Sequence, residues 1–299
     1  MRAAAAEAGG SPLAGEGPDA LVGSARDDTL ATEGRFFLML LTLATSSLRH
    51  LADDVGPASA MDIPAFVRDE LELRGLNVDA SMLAGWSLEQ LDELRDRADK
   101  AECPCLVLIE RRPLALAHHA ERDRRDARDR LQRLGAAAHR LGCNAVAIRC
   151  EGDDDDESFE FAATEIRSAM PALERLELNV LLAPAPGLTD DPDRLISLIK
   201  RIGGFRIGSL PDFDHAARTG DVEQALRKLA PYAGAIHASV RAFTKKGLHE
   251  GYDLATCIDA IRKVGFENTI GIEYVGNDDP LPAIIEARQQ LQAAIDDDG

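Results

Sequence analysis

The sequence contains few aromatic residues, an excess of acids over bases, and no hydrophobic run long enough to cross a membrane. Aromatic residues make up 4% of the 299 positions, and the formal net charge is −18. Nucleic acids and anionic membranes attract clustered basic side chains, so this charge argues against both as partners. The apolar run at residues 36–44 falls well short of the ~20 residues that a membrane helix needs. The sequence therefore predicts a soluble protein with no nucleic-acid or membrane partner.

Cysteine is also scarce, and its spacing fits no redox or zinc motif. There are five cysteines, an odd number, and Cys103 and Cys105 are closer together than the two cysteines of a CxxC motif. We therefore expect buried, reduced thiols and a cytoplasmic location. No GxGxxG or GxxxxGK[ST] motif follows a predicted strand, so we expect no dinucleotide or P-loop cofactor.

The chain does contain a repeated pattern, in which a short apolar run precedes a longer amphipathic segment. Eight apolar runs follow one another, at residues 37–44, 76–80, 105–109, 145–149, 178–182, 205–207, 234–238 and 269–273. Short Val, Ile and Leu stretches are typical of parallel strands covered on both faces. Eight strands alternating with helices predict an α/β fold, the closed (β/α)8 TIM barrel. An open doubly wound sheet is the alternative.

The amphipathic segments predict the helices and the limits of the domain. Apolar residues recur with helical period at residues 88–98, 128–141, 159–176, 192–202, 222–229, 254–264 and 282–295. Residues 1–34 are acidic, rich in Ala, Gly and Ser, and without apolar period. They predict a disordered N-terminal extension, so the barrel is predicted to span residues 35–299.

Polar residues at the carboxyl ends of the last three strands predict a functional site, because active sites of such barrels lie at that end. Asp212, His237 and Glu273 fall at matching heights on these strands and could together bind a divalent metal ion. We expect Mn²⁺, with Zn²⁺, Co²⁺ and Mg²⁺ as alternatives. Glu273 and His215 are the predicted catalytic residues, Glu273 by moving a proton and His215 by binding a substrate oxygen. The predicted substrate contacts are His215, Arg241, Glu151 and Trp86.

Each ligand candidate also has a purely structural explanation. His237 could be a core histidine, and Asp212, which follows Pro211, could cap the next helix. Glu273 could be half of a buried ion pair with Arg206 or Arg241. The three residues together favour a metal site because all of them end consecutive strands.

The C-terminal part of the chain resembles the xylose isomerase-like sugar phosphate isomerases and epimerases. Residues 207–215, IGSLPDFDH, resemble their sixth strand, whose Asp binds metal. Residues 229–238, LAPYAGAIHA, resemble the segment leading to their metal-binding His, and residues 269–274, TIGIEY, resemble their last strand, which ends in a ligand Glu. The resemblance covers residues 36–295, more loosely in the first half. It implies a TIM barrel that is a metal-dependent enzyme acting on a sugar or keto-sugar through an enediolate.

The fifth strand departs from this resemblance. In the family it ends in a Glu, the fourth metal ligand and, in ketose epimerases, one of two carboxylates that transfer protons. Here Ala183 and Pro184 stand at that point, and Ala183 can neither bind metal nor carry a proton. Glu151 or Glu110 could supply a substitute carboxylate.

Two functions remain open from the sequence. The first is a divergent isomerase, epimerase or lyase for a small sugar-like substrate. The second is a non-catalytic barrel of the same family that binds a ligand or a partner. A homo-oligomer is compatible with either. An endonuclease acting on abasic DNA is disfavoured by the net charge of −18 and the few aromatic residues.

Overall fold

The computed structural model describes residues 39–49, 51 and 56–297. In this part of the chain, eight parallel strands alternate with helices as a (β/α)8 barrel, which confirms the predicted fold. The predicted extension, residues 1–34, lies outside the described residues. None of the described helices combines the length and the apolar character that crossing a membrane requires.

The strands form one sheet in the order β6-β5-β4-β3-β2-β1-β8-β7. Their bounds are β1 Leu40–Ala44, β2 Leu76–Asp79, β3 Cys105–Ile109, β4 Ala145–Ile148, β5 Asn179–Leu182, β6 Ile207–Ser209, β7 Ala235–Val240 and β8 Thr269–Tyr274. Seven of the eight strands overlap their predicted ranges over most of their length, because each is a buried apolar run.

The α-helices of the described chain cover the outside of the strands. They are α1 Ile63–Asp69, α2 Leu88–Lys100, α3 Glu121–Arg140, α4 Asp156–Glu174, α5 Pro192–Ile202, α6 Phe213–Arg218, α7 Val222–Leu229, α8 Leu254–Arg262 and α9 Pro280–Asp296. The predicted bounds of α5 and α7 are confirmed. No apolar period in the sequence marks α1 and α6, because their short lengths leave too few turns.

Aspartate side chains cap many of these helices, which gives part of the acidity a structural role. The capping side chain accepts a hydrogen bond from a backbone N–H of the first turn. Each such cap stabilises its helix by about 1 kcal/mol. The aspartates that cap α4 to α9 in this way are Asp155, Asp191, Asp212, Asp221, Asp253 and Asp279.

Side chains alternate along the strands between the helix layer and the interior of the barrel. In β7, Ile236 and Ala238 belong to the large core between strands and helices. Ala235, in the same strand, belongs to a smaller apolar cluster inside the barrel. The members of this inner cluster are Val107, Ile109, Ala145, Ala147, Leu181, Ala183, Leu210 and Ala235. Its upper edge is the floor of the candidate site.

The barrel closes between β6 and β7 through isolated bridges instead of a continuous ladder. The His237 N–H donates to the Pro211 carbonyl at 2.8 Å, and the Gly234 N–H donates to the Ser209 carbonyl at 3.1 Å. Asp212 and His237 form one of the bridges. This closure places the end of β6 beside the middle of β7.

The predicted range of the sixth strand, residues 205–207, is wrong by about two residues. Phe205 is fully exposed, and pairing with β5 begins where Ile207 meets Val180. A side chain at Gly208 would place its Cβ only 2.6 Å from the Tyr232 carbonyl oxygen, closer than packed atoms approach. The strand therefore forms at a glycine that β propensity alone does not favour.

Candidate active site

Asp212, His237 and Glu273 meet at the carboxyl end of the barrel. One ligand atom of each lies within 4.8 Å of the others. His237 and Glu273 are buried, and Asp212 is partly exposed. The three stand on neighbouring elements because the barrel closes at β6 and β7 and β8 pairs with β7.

Hydrogen bonds fix each member of this triad. Asp212 accepts from the Ser239 hydroxyl and, at 2.9 Å, from the backbone N–H of His215 in the first turn of α6. His237 Nδ1 lies 3.1 Å from Glu273 Oε2, and its Nε2 lies 3.1 Å from the Asn77 amide nitrogen. The side chains are thus held together before any ligand binds.

The side chains of Asn77 and His237 leave no room for a side chain at Gly271. A Cβ on Gly271 would lie 2.3 Å from Asn77 Nδ2 and 3.0 Å from His237 Cδ2. Glycine at this point of β8 therefore permits the contact between the imidazole and the amide.

The ionisation of the triad follows from its burial. Burial lowers the pKa of His237 to about 3, and the charges of Arg111 and Arg149 add to this effect. Burial raises the pKa of Asp212, while hydrogen bonds from Ser239 and His215 oppose the shift. His237 is therefore neutral at physiological pH, the form in which imidazole binds a metal.

The donor set fits a divalent cation. Two carboxylates and a neutral imidazole are ligands for Mn²⁺, Zn²⁺ or Co²⁺, and three protein ligands leave positions open to water or substrate. These residues are Asp212, Glu273 and His237.

Arg111 is the cationic partner of Glu273, a pairing that the sequence does not predict. Its guanidinium forms an ion pair with Glu273, lies 3.0 Å from Asp79 Oδ2, and donates to the Ser46 hydroxyl at 2.7 Å. Ser46 in turn donates to Glu273 Oε1 at 3.1 Å. Glu273 is thus half of an ion pair, as one structural explanation required.

Arg206 and Arg241 were the wrong candidates for that pair. Arg206 donates to the carbonyl of Glu177, and Arg241 pairs with Asp214. Both arginines form these contacts outside the barrel interior.

Ala183 lies where the sequence places the missing carboxylate. It belongs to the inner cluster and lines the same cavity as the triad, a space of about 30 Å³. Glu110 lines this cavity too, but Arg130 binds its carboxylate at 2.6 Å and the Arg112 backbone N–H donates to it. At strand five the cavity is lined by Ala183 and Pro184, so this side of the cavity is apolar.

The other predicted site residues lie apart from this cavity. The His215 imidazole turns to Asp190, at 3.0 Å, and its Nδ1 has no hydrogen-bond partner in the described chain. Glu151 is exposed near His118, with 3.8 Å between Oε2 and Nε2. Trp86 lines a separate cavity outside the strands, and Arg241 is exposed. The structure does not bring these four to the triad.

Sequence reasoning missed Arg49, Arg111, Arg149 and Asn77. A signal for two of them was present: Arg111 and Arg149 continue the inward alternation of β3 and β4. Asn77 faces inward from β2, as does Asp79, and the two alternate with Leu76 and Val78 of the outer core. Arg49 follows β1 and pairs with Asp79.

The acidic loop after β4 and the segment before α3 together hold a second group of ligand-type residues. His119, Asp153 and Asp155 lie close together, but all three are exposed, and Asp155 is the N-cap of α4. These features are those of a solvated loop and a helix start.

A family model described as xylose isomerase-like TIM barrel matches residues 69–294. No curated protein matches the sequence. Among solved structures, L-ribulose 3-epimerase aligns with a TM-score of 0.73 at 14% identity, over 86% of this chain and 95% of that one.

Two further structures share the fold. The 3-keto-D-glucoside 4-epimerase from E. coli aligns with a TM-score of 0.70 at 12% identity, over 85% of this chain and 99% of that one. The IolI protein with a bound zinc atom aligns with a TM-score of 0.66 at 12% identity, over 86% and 96%. At such identities the likeness establishes the fold alone.

Proposed function

The chain belongs to the xylose isomerase-like TIM barrel family, and we propose that it is a metal-dependent enzyme that isomerises a sugar or keto-sugar. The observation that carries the proposal is the convergence of Asp212, His237 and Glu273 at the carboxyl end of the barrel. The similar structures include two sugar epimerases. The proposed ion is Mn²⁺, with Zn²⁺, Co²⁺ and Mg²⁺ as alternatives. A zinc-bound structure among the neighbours supports a metal in this fold.

When bound, the ion would polarise a carbonyl or hydroxyl of the sugar and favour its enediolate form. The residues of the chain would hold the ion, orient the substrate and move its proton. Glu273 is the proposed proton carrier, because its carboxylate lines the triad cavity and contacts with Ser46 and Arg111 fix its position. His237 stays neutral and serves as a ligand.

Ala183 narrows the reaction class. Epimerisation through two bases needs a carboxylate on each side of the reacting carbon, and the strand-five side of this cavity is apolar. A shift of a carbonyl between neighbouring carbons moves the proton on one face, which a single carboxylate supports. We therefore favour isomerisation, or elimination in a lyase, over epimerisation.

The test combines metal analysis with proton exchange. Purified protein should hold about one Mn²⁺ per chain, and Asp212→Asn should lose it. Asparagine keeps the oxygen that caps α6 and so isolates the ligand role from the cap. In D₂O, the active protein should place deuterium on the carbon beside the carbonyl of its substrate. Failure to bind Mn²⁺ at millimolar concentration would overturn the proposal.

A non-catalytic binding barrel is the second candidate. The observation that favours it is the apolar strand-five wall together with the ion pair between Arg111 and Glu273, which occupies one ligand carboxylate. It predicts that sugars bind without deuterium incorporation, whether or not Mn²⁺ is added. Deuterium incorporation that is lost in Asp212→Asn would reject it.

A further inference from the structure

Two arginines continue the inward-facing rows of the barrel at its carboxyl end. Val107 and Ile109 of β3 belong to the inner cluster, and the next residue of that row is Arg111. Ala145 and Ala147 of β4 are followed in the same way by Arg149. Both arginines line the cavity that holds Asp212, His237 and Glu273.

The two guanidiniums differ in how their charge is used. Arg111 already contacts Asp79, Glu273 and Ser46. Arg149 is half-buried, and no ion pair or side-chain hydrogen bond joins it to any described residue. Its guanidinium nitrogens remain accessible to solvent, so they are open to a ligand that enters the cavity. Its position on the cavity suggests that the missing partner is a ligand.

The charges around the cavity point to the sign of that ligand. Arg49 and Arg111 pair with Asp79 and Glu273, and Arg130 pairs with Glu110. Arg149 and Asp212 share the cavity without an ion pair between them. The charged groups are thus balanced before a metal binds. A divalent ion would leave an excess of positive charge in a confined space, which an anionic ligand would neutralise.

We propose that Arg149 binds a carboxylate group of the substrate, so that the substrate class is a sugar acid or keto acid. A guanidinium and a carboxylate match in planar, two-point geometry. The Arg149 guanidinium lines the inner cavity together with Asp212, His237 and Glu273, so a carboxylate bound to it would lie beside the proposed metal site.

A second cavity borders the residues that contact Arg111. This cavity, of about 380 Å³, is lined by Ser46, Arg49 and Asp79, and two of these, Ser46 and Asp79, contact Arg111. The inference rests on the proposed function for the placement of the substrate, but the carboxylate contact itself needs no metal.

The experiment compares 2-keto-D-gluconate with D-fructose by calorimetry, in chelator and in Mn²⁺. The acid should bind on the order of tenfold more tightly than the neutral sugar, the gain typical of a hydrogen-bonded charge pair. Arg149→Gln should abolish this preference. Arg122→Gln, which removes an exposed arginine of α3, should leave it unchanged.

Arg149→Lys keeps the positive charge but lacks the planar, two-point geometry of guanidinium, so it should retain part of the preference for the acid. This variant replaces Arg149→Gln if Arg149→Gln fails to fold. Equal binding of acid and neutral sugar in the unmodified protein would overturn the inference. Tighter, Arg149-dependent binding of D-fructose 6-phosphate than of the acid would overturn the carboxylate assignment. Mn²⁺ binding is measured separately. If the protein does not bind Mn²⁺, the proposed function fails, but a preference for the acid in chelator can still be detected.

Discussion

His237 Nδ1 lies 3.1 Å from Glu273 Oε2 on the adjacent strand β8. On its other side, Nε2 lies 3.1 Å from the amide nitrogen of Asn77. The amide nitrogen can only donate, so Nε2 accepts and Nδ1 carries the proton that Glu273 binds. A metal ion can bind Nδ1 only if this proton moves to Nε2. The Asn77 amide must then turn so that its oxygen accepts a hydrogen bond from Nε2–H. That oxygen has no other hydrogen-bond partner among the described residues.

Asn77 should therefore control metal affinity through the tautomer of His237. Asn77→Leu keeps the side-chain volume but removes the acceptor, and should weaken Mn²⁺ binding by about 10–100-fold, as for other residues that orient metal ligands. Asn77→Asp keeps an acceptor and should retain binding. Calorimetric titration with Mn²⁺ measures both. Equal affinities in the two variants would show that the amide does not set the tautomer.

Arg111 should compete with the metal for Glu273. Arg111→Gln leaves a buried carboxylate without its cation, so the metal-free protein should lose on the order of 3 kcal/mol of stability. Mn²⁺ should bind more tightly to this variant and restore much of the loss by mass action. Thermal unfolding with and without Mn²⁺ measures the effect.

The matched control is Arg130→Gln, which breaks the ion pair with Glu110 at the neighbouring edge of the cavity. It should lower stability without changing Mn²⁺ affinity. If Mn²⁺ binds less tightly to Arg111→Gln, then Arg111 positions Glu273 for the ion and does not compete with it.

Ala183→Glu should add the carboxylate that strand five lacks. The residue lines the triad cavity, so a fourth ligand should tighten Mn²⁺ binding on the order of tenfold, equivalent to about 1.4 kcal/mol. Glu151→Ala should change nothing, because Glu151 is exposed on a loop beside His118. The opposite pattern, with loss in Glu151→Ala and none gained in Ala183→Glu, would place the ion nearer strand four.

Stability in chelator should depend on pH through His237. Its pKa lies at about 3 in the folded protein and at 6.5 when exposed, so only the unfolded chain takes up this proton as the pH falls from 6.5. The resulting contribution is present above pH 6.5 and declines at up to about 1.4 kcal/mol per pH unit below it. Urea unfolding between neutral pH and about pH 5 should show a shallower loss in His237→Gln. The control is His139→Gln, at an exposed position of α3, which should show the same dependence of unfolding free energy on pH as the unmodified protein. If all three proteins share one slope, His237 is not held neutral.

The strands show how far pattern reasoning reaches. The apolar run of β3, Cys105–Ile109, is predicted at its observed bounds because a strand covered on both faces must be apolar throughout. The sixth strand is misplaced because Phe205 is apolar yet exposed, while Gly208 is selected by a close backbone approach. Hydrophobicity indicates burial on average. It does not indicate where two backbone segments approach so closely that only glycine fits.

The sequence by itself determined the barrel and the convergence of Asp212, His237 and Glu273, since parallel strands must end at one edge and alternate residues must face one side. Only the tertiary structure decided which charges pair within that edge. Arg111 reaches Glu273 across the barrel mouth, and His215 turns to Asp190, although it follows Asp212 by three residues. Strand period fixes the face on which a side chain stands. Its partner depends on the curvature of the closed sheet, the length of the side chain and the water that burial removes, and none of these can be read from spacing along the chain.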